Sequence, residues 1–488
     1  MTKFLALLLC CAAFLVSEGP ARAADRTVGI DAQKALGLTV YNGGTAMVRD
    51  VRSVKLDKGE NRLAFEEVSG QIQPETASLK PLGNAKFSLI EQNFDFDLLT
   101  PAKLTEKAVG STVEVIRTNP ATGQESTEEA KVLSANGGVV LQYKDRIEVL
   151  GSNGFNGRLV FKQIPENLRA RPTLSVTLDA DKAASSDVEL AYLTGGLTWA
   201  ADYVANLNDD ESRMDLQAWV TMTNSSGTSY RNATLQLVAG EVHRMEDVSR
   251  TTAAGEIIVT AQMRTPKTER EELGEYQLYT IPHPTTIANQ QTKQVGLFEA
   301  KGVKVTGRLE ANNYGYGYAR SSDEGDKIPV RKYLTIDNTE AAGLGVPMPK
   351  GTVRVYQSDS KGRSQFVGED AIDHTPKNEK ADLLLGESFD VTVRRKVINA
   401  RTFQRHSDTL GNVIVYESSY EITAKNAKAK SETVRYTHDF GPNWTVTAEN
   451  QAHSKPSASR AAWTLKLPAE GAFKLTYTVQ VEVPRPEK

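Results

Sequence analysis

Apolar and polar side chains alternate residue by residue along many segments of this 488-residue chain. In Phe473–Val483 every second residue is apolar or aromatic, and Lys, Thr, Gln and Glu lie between them. Arg213–Thr223, Phe389–Val397 and Trp463–Leu467 follow the same period. A period of two is typical of a strand with one packed face and one wet face, as in antiparallel sheets. The pattern therefore predicts an all-β protein.

Turn sequences separate these alternating runs. Asn42–Gly44, Asp57–Gly59, Asn136–Gly138 and Asn224–Gly227 supply residues that tolerate a positive φ. Strands do not alternate with long helical patterns, which disfavours a parallel α/β sheet. We expect several antiparallel, Ig-like β-sandwich domains and a small inserted domain that resembles a β-barrel.

The order of runs and turns predicts how the chain is divided. Pro172–Asp179 resumes a strand pattern after a stretch of short strands, and we expect it to pair with the strands at the start of the chain. The spacing of the short strands suits a small barrel. The expected segments are a signal peptide at 1–23, an N-terminal β domain at 24–95 completed by 172–190, an inserted small β domain at 96–165, a central β-sandwich region at 181–395 and a C-terminal β-sandwich at 396–488.

The first residues have the three parts of an export signal. Lys3 provides a basic start, Phe4–Val16 is an apolar run, and Ala21–Ala23 has the small residues of a cleavage site. The apolar run is too short for a spanning helix. We therefore expect an exported protein whose mature chain begins at Ala24 and which lies in the periplasm or at the cell surface.

Composition narrows the classes of protein that remain. Cys10 and Cys11 are the two cysteines, and both lie in the signal, so the mature chain has no thiol and must depend on large packed cores. Lys and Arg number 58 against 61 Asp and Glu, which gives no basic footprint for nucleic acid. After the signal no run of about 18 apolar residues occurs, so we expect no transmembrane helix.

The block Tyr192–Gly240 carries a family resemblance. Trp199 and Tyr203 lie four residues apart, Thr223–Gly227 has the form Thr-Asn-x-x-Gly, and Asn232–Gly240 follows as a strand. The block resembles the bacterial envelope family called domain of unknown function 4139, which is related to mucoidy inhibitor A-like proteins. Apart from this resemblance, the two aromatics are expected to pack in a core with their polar tips at its edge.

Other stretches resemble the same family. Glu275–Leu297, Pro349–Glu369 and Gly386–Phe389 look like its later segments, and Leu38–Leu63 looks like the N-terminal β domain that often accompanies it. The resemblance implies β-sandwich domains and an envelope location. It assigns no catalytic residues.

Motifs that carry chemistry are not found in this sequence. No two histidines have the spacing of metal ligands, and the mature chain has no cysteine, so we expect no metal site. Neither a nucleophile elbow, a phosphate-binding loop nor a dinucleotide fingerprint occurs, so we assign no catalytic residue and no cofactor. The six histidines are His243, His283, His374, His406, His438 and His453.

Two acidic stretches are candidate cation sites. Asp95 and Asp97 could bind a divalent cation through their carboxylates, but Phe94 and Phe96 alternate with them and favour a strand with one wet face. Asn208–Ser212 lacks the calcium-loop pattern and is expected to be a solvated turn.

The segment Asn313–Tyr318 is the most unusual, because tyrosine alternates with glycine. Glycine permits an exposed, adaptable backbone, and Tyr314, Tyr316 and Tyr318 could present amphipathic rings to a glycan, peptide or protein. The alternative is a strand weakened by glycine, whose tyrosines pack on a neighbour.

Two functions are compatible with these observations. The first is an exported cell-envelope protein that binds or scaffolds without catalysis through its sandwich loops, with an envelope protein or polysaccharide as partner. The second is an exported hydrolase whose active site is assembled from loops, because catalytic triads are defined by geometry rather than by sequence order.

Overall fold

Strands dominate the computed structural model, which confirms the predicted all-β fold: 66% of the residues are in strands and 4% in helices. The structure describes residues 25–95, 98–150, 157–163, 168–240, 276–315 and 325–485, and the backbone alone of 269–273. The signal segment 1–23 and the predicted cleavage site therefore lie outside the described residues.

The strands are numbered in chain order. The first group is β1 Arg26–Val28, β2 Gln33–Tyr41, β3 Ala46–Leu56, β4 Gly59–Glu66, β5 Ser78–Leu82, β6 Phe87–Asp95, β7 Thr112–Thr118, β8 Glu125–Ser134, β9 Val139–Gln142, β10 Ile147–Leu150, β11 Arg158–Val160 and β12 Thr173–Ala180. The second group is β13 Ala184–Thr194, β14 Leu197–Leu207, β15 Arg213–Asn224, β16 Tyr230–Ala239, β17 Glu269–Leu273, β18 Tyr276–Thr280, β19 Thr285–Ile287, β20 Gln291–Tyr314, β21 Asp326–Ile328 and β22 Val330–Asp337. The third group is β23 Gly351–Ser358, β24 Ser364–Ile372, β25 Lys380–Glu387, β26 Val391–Ser407, β27 Gly411–Asn426, β28 Glu432–Asp439, β29 Trp444–Glu449, β30 Arg460–Leu467 and β31 Ala472–Pro484.

Helices are short. The α-helix α1 is Pro101–Lys107, with the Thr100 side chain accepting a hydrogen bond from the Lys103 N–H at its start, and the 3₁₀ turns are Ile30–Ala32, Pro74–Thr76 and Glu340–Ala342. Among the described residues no helix has the length and apolar character that crossing a membrane requires.

Two sheets at the start of the chain pack on one large apolar core. One sheet has the order β1-β4-β12-β6, and the other has the order β17-β18-β16-β2-β3-β13-β5. Strand β12 lies between β4 and β6 and is antiparallel to both, although more than seventy residues separate β12 from β6. The segment Ser78–Asp95 forms two strands, because Gly83 at φ 118° turns the chain between β5 and β6.

The segment between β6 and β12 forms its own sheet, with the order β10-β9-β8-β7-β11. Its buried residues include Val115, Val132 and Leu141 and form a separate hydrophobic cluster. The sequence predicts a barrel-like form, and the structure has an open sheet of five strands. Strands β10 and β11 are the two edges and do not pair with one another in the described part of the chain, so the sheet is open.

A long curled sheet follows, with the order β24-β23-β14-β15-β20-β22-β25. Its end strands approach each other closely, since a Cβ atom on Gly368 would lie 2.6 Å from the Leu385 carbonyl oxygen. The Asp370 carboxylate accepts a hydrogen bond of 2.7 Å from the Leu384 N–H across this seam. A side chain, rather than a ladder of backbone bonds, therefore links the two edges.

The 24-residue strand β20 belongs to two sandwiches in succession, the first sandwich, which is built on the large apolar core described above, and the C-terminal sandwich. Residues 291–304 pair with β15, and the residues after them pair with β22 and β28. The ladder to β15 has a bulge at Gly302, just before this change, and Gly302 has φ 63° and donates its N–H to the Asp215 carboxylate at 2.8 Å. Arg213 donates to the Gly302 carbonyl oxygen at 2.8 Å. Because few residues other than glycine adopt this conformation readily, Gly302 fixes the point at which the strand bends.

The second core lies in the C-terminal sandwich, a name used here for the end of β20 with β21 and β26–β31. Its sheet β21-β26-β27-β31-β29 faces the strands β20, β28 and β30. Val393, Ile422, Tyr436, Trp463 and Leu475 are among its buried residues. The predicted start of this domain at residue 396 falls within β26.

Two buried asparagines form the same turn, once in each sandwich. Asn224 Oδ1 accepts a hydrogen bond from the N–H two residues later, and its Nδ2 donates to the carbonyl four residues later. Asn426 makes the equivalent two bonds. Each Nδ2 also reaches a distant segment, at the Ala288 carbonyl for Asn224 and at the Pro468 carbonyl for Asn426. The Thr-Asn-x-x-Gly motif is thus a turn that fastens neighbouring segments.

We expect Asn224→Ala to lower the free energy of unfolding of the first sandwich by about 3 kcal/mol, because it leaves buried carbonyl oxygens without donors. Asn206→Ala is the matched control, since Asn206 is exposed on the neighbouring strand β14, and it should change stability by less than about 0.5 kcal/mol. Urea unfolding followed by tryptophan fluorescence measures both. Equal effects of the two substitutions would contradict the proposed role of Asn224.

Candidate binding site at the end of the C-terminal sandwich

Of the predicted tyrosine patch, Tyr314 is the residue that the structure describes, and Tyr316 and Tyr318 lie outside the described residues. Tyr314 is the last residue of β20, opposite Asp439 of β28, and its side chain is 64% exposed. The next residue, Gly315, has φ 83° and donates its N–H to the Asp439 carbonyl at 2.9 Å. The backbone therefore pairs with β28 both at the strand end and at the residue after Tyr314.

His438 lies directly beneath this strand end and is fully buried. Its Nε2 lies 2.7 Å from the Gly315 carbonyl oxygen, and its Nδ1 lies 2.6 Å from the Tyr477 hydroxyl. A carbonyl oxygen can only accept, so Nε2 carries the hydrogen and Nδ1 accepts from Tyr477. The Asn313 amide nitrogen lies 2.9 Å from Nε2 on the other side.

The hydrogen bonds continue in one direction through the core. Arg395 donates to Asn313 Oδ1 at 3.0 Å, and Asn313 Nδ2 donates to the Tyr436 hydroxyl at 3.4 Å. Tyr436 and Tyr477 hydroxyls are 3.1 Å apart, so Tyr436 donates to Tyr477, whose own hydrogen goes to His438. The chain of donors runs from a guanidinium at the sheet edge to the carbonyl oxygen beside Tyr314. It anchors the exposed strand end to the core.

Burial lowers the pKa of His438 from its usual 6.5 to about 3. The hydrogen bond to the Gly315 carbonyl opposes this shift, and the nearby Arg395 charge adds to it. Burial also raises the pKa values of Tyr436 and Tyr477 above the usual value for a phenol. The three groups are therefore uncharged at neutral pH, which is the state that their buried hydrogen bonds require.

Aromatic side chains continue from His438 around the end of the core. His438 lies 4.0 Å from Phe440 between ring centroids, Phe440 lies 5.4 Å from Trp444, and Trp463 stacks on Tyr477 at 4.4 Å. His453 lies between the two tryptophans, with its ring centroid 5.6 Å from that of Trp444 and 5.9 Å from that of Trp463. We call this set the aromatic cluster; its members are His438, Phe440, Trp444, His453, Trp463 and Tyr477.

Glu449 fixes the part of the aromatic cluster nearest to the surface. Its carboxylate accepts a hydrogen bond of 2.9 Å from Trp463 Nε1 and one of 3.0 Å from His453 Nδ1. Lys455 lies over the Trp444 ring, with Nζ 4.7 Å from the centroid. The arrangement holds the loop 450–459 against the sandwich.

We call Tyr314, Gly315, the turn 440–443 and the loop 450–459 the distal end, because about 12 residues or 40 Å of strand separate Tyr314 from Gly302.

The contacts of the two imidazoles indicate what the distal end can do chemically. In the described part of the chain, His438 bonds to a tyrosine and a backbone carbonyl, and His453 bonds to Glu449. Neither contacts a serine or threonine hydroxyl there. The contacts that are present hold the loops of the distal end in fixed positions.

The other residues singled out by the sequence are not brought to this end. Asp95 pairs with Arg169 at 3.0 Å and accepts from Ser175, while Asp97 lies outside the described residues. The Asn208–Ser212 stretch is a turn, in which the Asn208 side chain accepts from the N–H of Ser212. Among the described residues no three His, Cys, Asp or Glu side chains are grouped as metal ligands would be.

The remaining predicted aromatics and histidines have separate surroundings. Trp199 and Tyr203 are buried in the first core, and the Tyr203 hydroxyl donates to the Pro349 carbonyl at 2.6 Å. His374 accepts from the Lys350 N–H, and His406 lies 3.2 Å from the Asn412 side chain. His243 lies outside the described residues.

Sequence reasoning missed most of the distal end. Tyr436, His438 and Phe440 occupy every second position of β28 and the turn after it, so the period places a histidine on the buried face. The period could therefore have predicted a buried His438. It could not have predicted that His438 contacts Tyr477 and Gly315, because these residues are 39 and 123 positions away.

We expect the C-terminal sandwich to lose stability as the pH falls from about 6.5 towards 3. The folded pKa of His438 is depressed, so over this interval the unfolded chain binds a proton that the folded chain excludes. One such proton contributes about 1.4 kcal/mol per pH unit. Urea unfolding at a series of pH values should show this slope.

His438→Gln should flatten the pH dependence, even where it lowers stability at every pH, and the exposed His406→Gln is the matched control that should keep the original slope. Equal slopes for the wild type and His438→Gln would refute the buried neutral histidine.

Comparison with known protein families identifies the family of this chain. Residues 188–485 match the family model described as Domain of unknown function (DUF4139), which is more than half of the chain. No curated protein matches the chain. The mucoidy inhibitor A-like relationship and the N-terminal companion domain stay predictions. The match includes the Thr-Asn-x-x-Gly turn, β20 and the whole distal end, and it confirms the family indicated by the block Tyr192–Gly240: the chain belongs to the DUF4139 family.

Proposed function

We propose that this protein is exported and acts in the cell envelope as a non-catalytic binding or scaffolding protein. The distal end is its contact surface, and an envelope protein or polysaccharide is its partner. The observation that carries the proposal is the exposed ring of Tyr314 on a strand end that is tied to a buried hydrogen-bond chain.

Rigid presentation of an exposed aromatic side chain is a property of binding surfaces. A tyrosine offers a large amphipathic face and loses little conformational entropy on contact. Here the backbone beside the ring is bonded to β28 and to His438, so the cost of ordering the site is met by folding. Tyr316 and Tyr318 extend the predicted patch along the sequence.

Export is supported by the order of basic, apolar and small residues in 1–23. The predicted mature chain has no cysteine, so its stability comes from two extensive apolar cores rather than from disulfides. Location in the periplasm or at the cell surface is part of this proposal.

A second candidate, an exported hydrolase, is favoured by one observation. His453 is only half-buried, and its Nδ1 is held by the Glu449 carboxylate, which resembles the base and the orienting acid of a triad. A nucleophile in contact with His453 is needed to complete it. The binding function requires no further residue and is therefore our first proposal.

We expect the protein released from the periplasm by osmotic shock to begin at Ala24 when its N-terminus is sequenced. Deletion of residues 2–23 should leave the protein in the cytoplasm, because the export machinery then has no apolar segment to recognise. A full-length N-terminus in the released fraction would contradict export by cleavage.

We expect a pull-down from cross-linked envelopes to recover the same partner or polymer repeatedly with the wild-type protein. Replacing Tyr314, Tyr316 and Tyr318 with alanine should reduce recovery about tenfold or more, because the amphipathic rings are removed. Phe366→Ala is the matched control, since Phe366 is 57% exposed on β24. Recovery that is unchanged in the triple variant would exclude the tyrosine patch as the contact surface.

A further inference from the structure

Two chain connections join the helix α1 and the strands β7–β11, here called the inserted domain, to the first sandwich. In the described part of the chain these strands pair only with one another, and their buried residues form a separate cluster. The outgoing connection leaves β6 after Asp95, and the return connection enters β12 at Thr173, which lies opposite Asp95 in the ladder. Because domains with separate cores move relative to one another unless a large interface joins them, these connections decide how the inserted domain is oriented.

The two connections are bonded to each other through their backbones. Leu98 and Arg169 form a parallel bridge, and the Leu99 N–H donates to the Arg169 carbonyl oxygen at 2.8 Å. Two paired segments this short are marginally stable by themselves in water. Side-chain contacts are therefore needed to keep the connections in one position.

The Arg169 side chain supplies these contacts. Its guanidinium lies 2.8 Å from the Asp25 carboxylate and 3.0 Å from the Asp95 carboxylate. Asp25 precedes β1 and also pairs with Arg62 of β4 at 3.3 Å, and Asp95 accepts a hydrogen bond of 3.2 Å from Ser175 of β12. One guanidinium on the return connection therefore binds the end of β6 and the start of β1 at the same time.

Partial burial makes this network stronger than an ion pair on the open surface. The side chains of Arg169, Asp25 and Asp95 are 28, 21 and 18% exposed, whereas those of the neighbouring pair Arg26 and Asp57 are 44 and 73% exposed. Water and salt screen the more buried charges less, and a guanidinium can bond two carboxylates at once. The pair of Arg26 and Asp57 thus provides a weaker counterpart that touches neither connection.

We propose that Arg169 is a clasp that fixes the orientation of the inserted domain, and that the domain swings as a unit when Arg169 is released from Asp25 and Asp95. Residues 98–99 and 168–172 are the hinge, since they lie between strands of the two bodies. Opening breaks the ion pairs and the bridge at Leu98, and it leaves the ladders of β12 and both cores intact. The clasp is independent of the proposed function, because it concerns neither export nor the distal end.

Hydrogen exchange and distances between spin labels test the clasp in the chain that begins at Ala24. That chain has no cysteine, so labels attach only at Thr127→Cys on β8 and Lys80→Cys on β5, two exposed positions on the two bodies. In Arg169→Gln the amide of Leu99 should exchange about tenfold faster, measured by mass spectrometry. The distance distribution from double electron–electron resonance should become about twice as wide, because the held orientation is lost.

Salt gives a second readout that needs no substitution. Raising NaCl from about 0.05 to about 1 M should speed exchange of the Leu99 amide in the chain that keeps Arg169, because the ion pairs are screened. The same change of salt should have little effect in Arg169→Gln, in which the ion pairs are already absent.

The controls separate release of the clasp from unfolding. Arg26→Gln removes the exposed neighbouring ion pair and should leave exchange and distances unchanged. Asp25→Asn should give an intermediate effect, because Asp95 still binds Arg169, and Asp25→Glu should restore the original behaviour. Exchange of the Val176 amide in β12 should stay slow in every variant.

Two results would overturn the proposal. One is exchange of Leu99 and a distance distribution that are the same in Arg169→Gln as in the chain that keeps Arg169. The other is exchange of Val176 that speeds up as much as that of Leu99, because Arg169 would then hold the first sandwich together rather than orient the inserted domain.

Discussion

The structure depends on one strand that serves two sandwiches. Residues 291–311 of β20 pair with β15 and β22 in the sheet of the first sandwich, and residues 309–314 pair with β28 of the second. A strand cannot be shared in this way unless its edges change partners, and the bulge at Gly302 provides the change by locally breaking the ladder. The side chains of Asp215 and Arg213 bond to the backbone of Gly302 and hold the bulge in place.

Both sandwiches have an asparagine turn at the end of a long strand. Strand β15 leads through the Asn224 turn to β16, which is parallel to β2, and β27 leads through the Asn426 turn to β28, which is parallel to β20. In each case an asparagine side chain satisfies backbone groups that the crossing chain would leave buried and unpaired. The most distinctive motif of the sequence is explained by this requirement. It needs no ligand to account for it.

The alternation of apolar and polar side chains predicted the strands well wherever one face of the strand is packed and the other is exposed to water. It could not predict Asp50 and Arg52, which occupy the buried face of β3, because each is acceptable there only through the other and through the Val28 and Glu66 carbonyls. It also placed Phe389 in a strand, although β26 begins at Val391 and the Phe389 side chain is 95% exposed. Partners remote in sequence decide such positions. The distal end was hidden from sequence for the same reason.

The buried histidine at the distal end is better understood as an anchor than as a reagent. Placing an imidazole and two phenols in an apolar core is unfavourable unless every polar atom finds a partner, and each of these does. Such a network tolerates few alternative arrangements, so it specifies one position for the Gly315 carbonyl and hence for the strand end. A core of leucines could supply equal burial, but it would not fix the backbone beside Tyr314. Positional accuracy at an exposed aromatic side chain is what a binding surface requires, and the buried network supplies it.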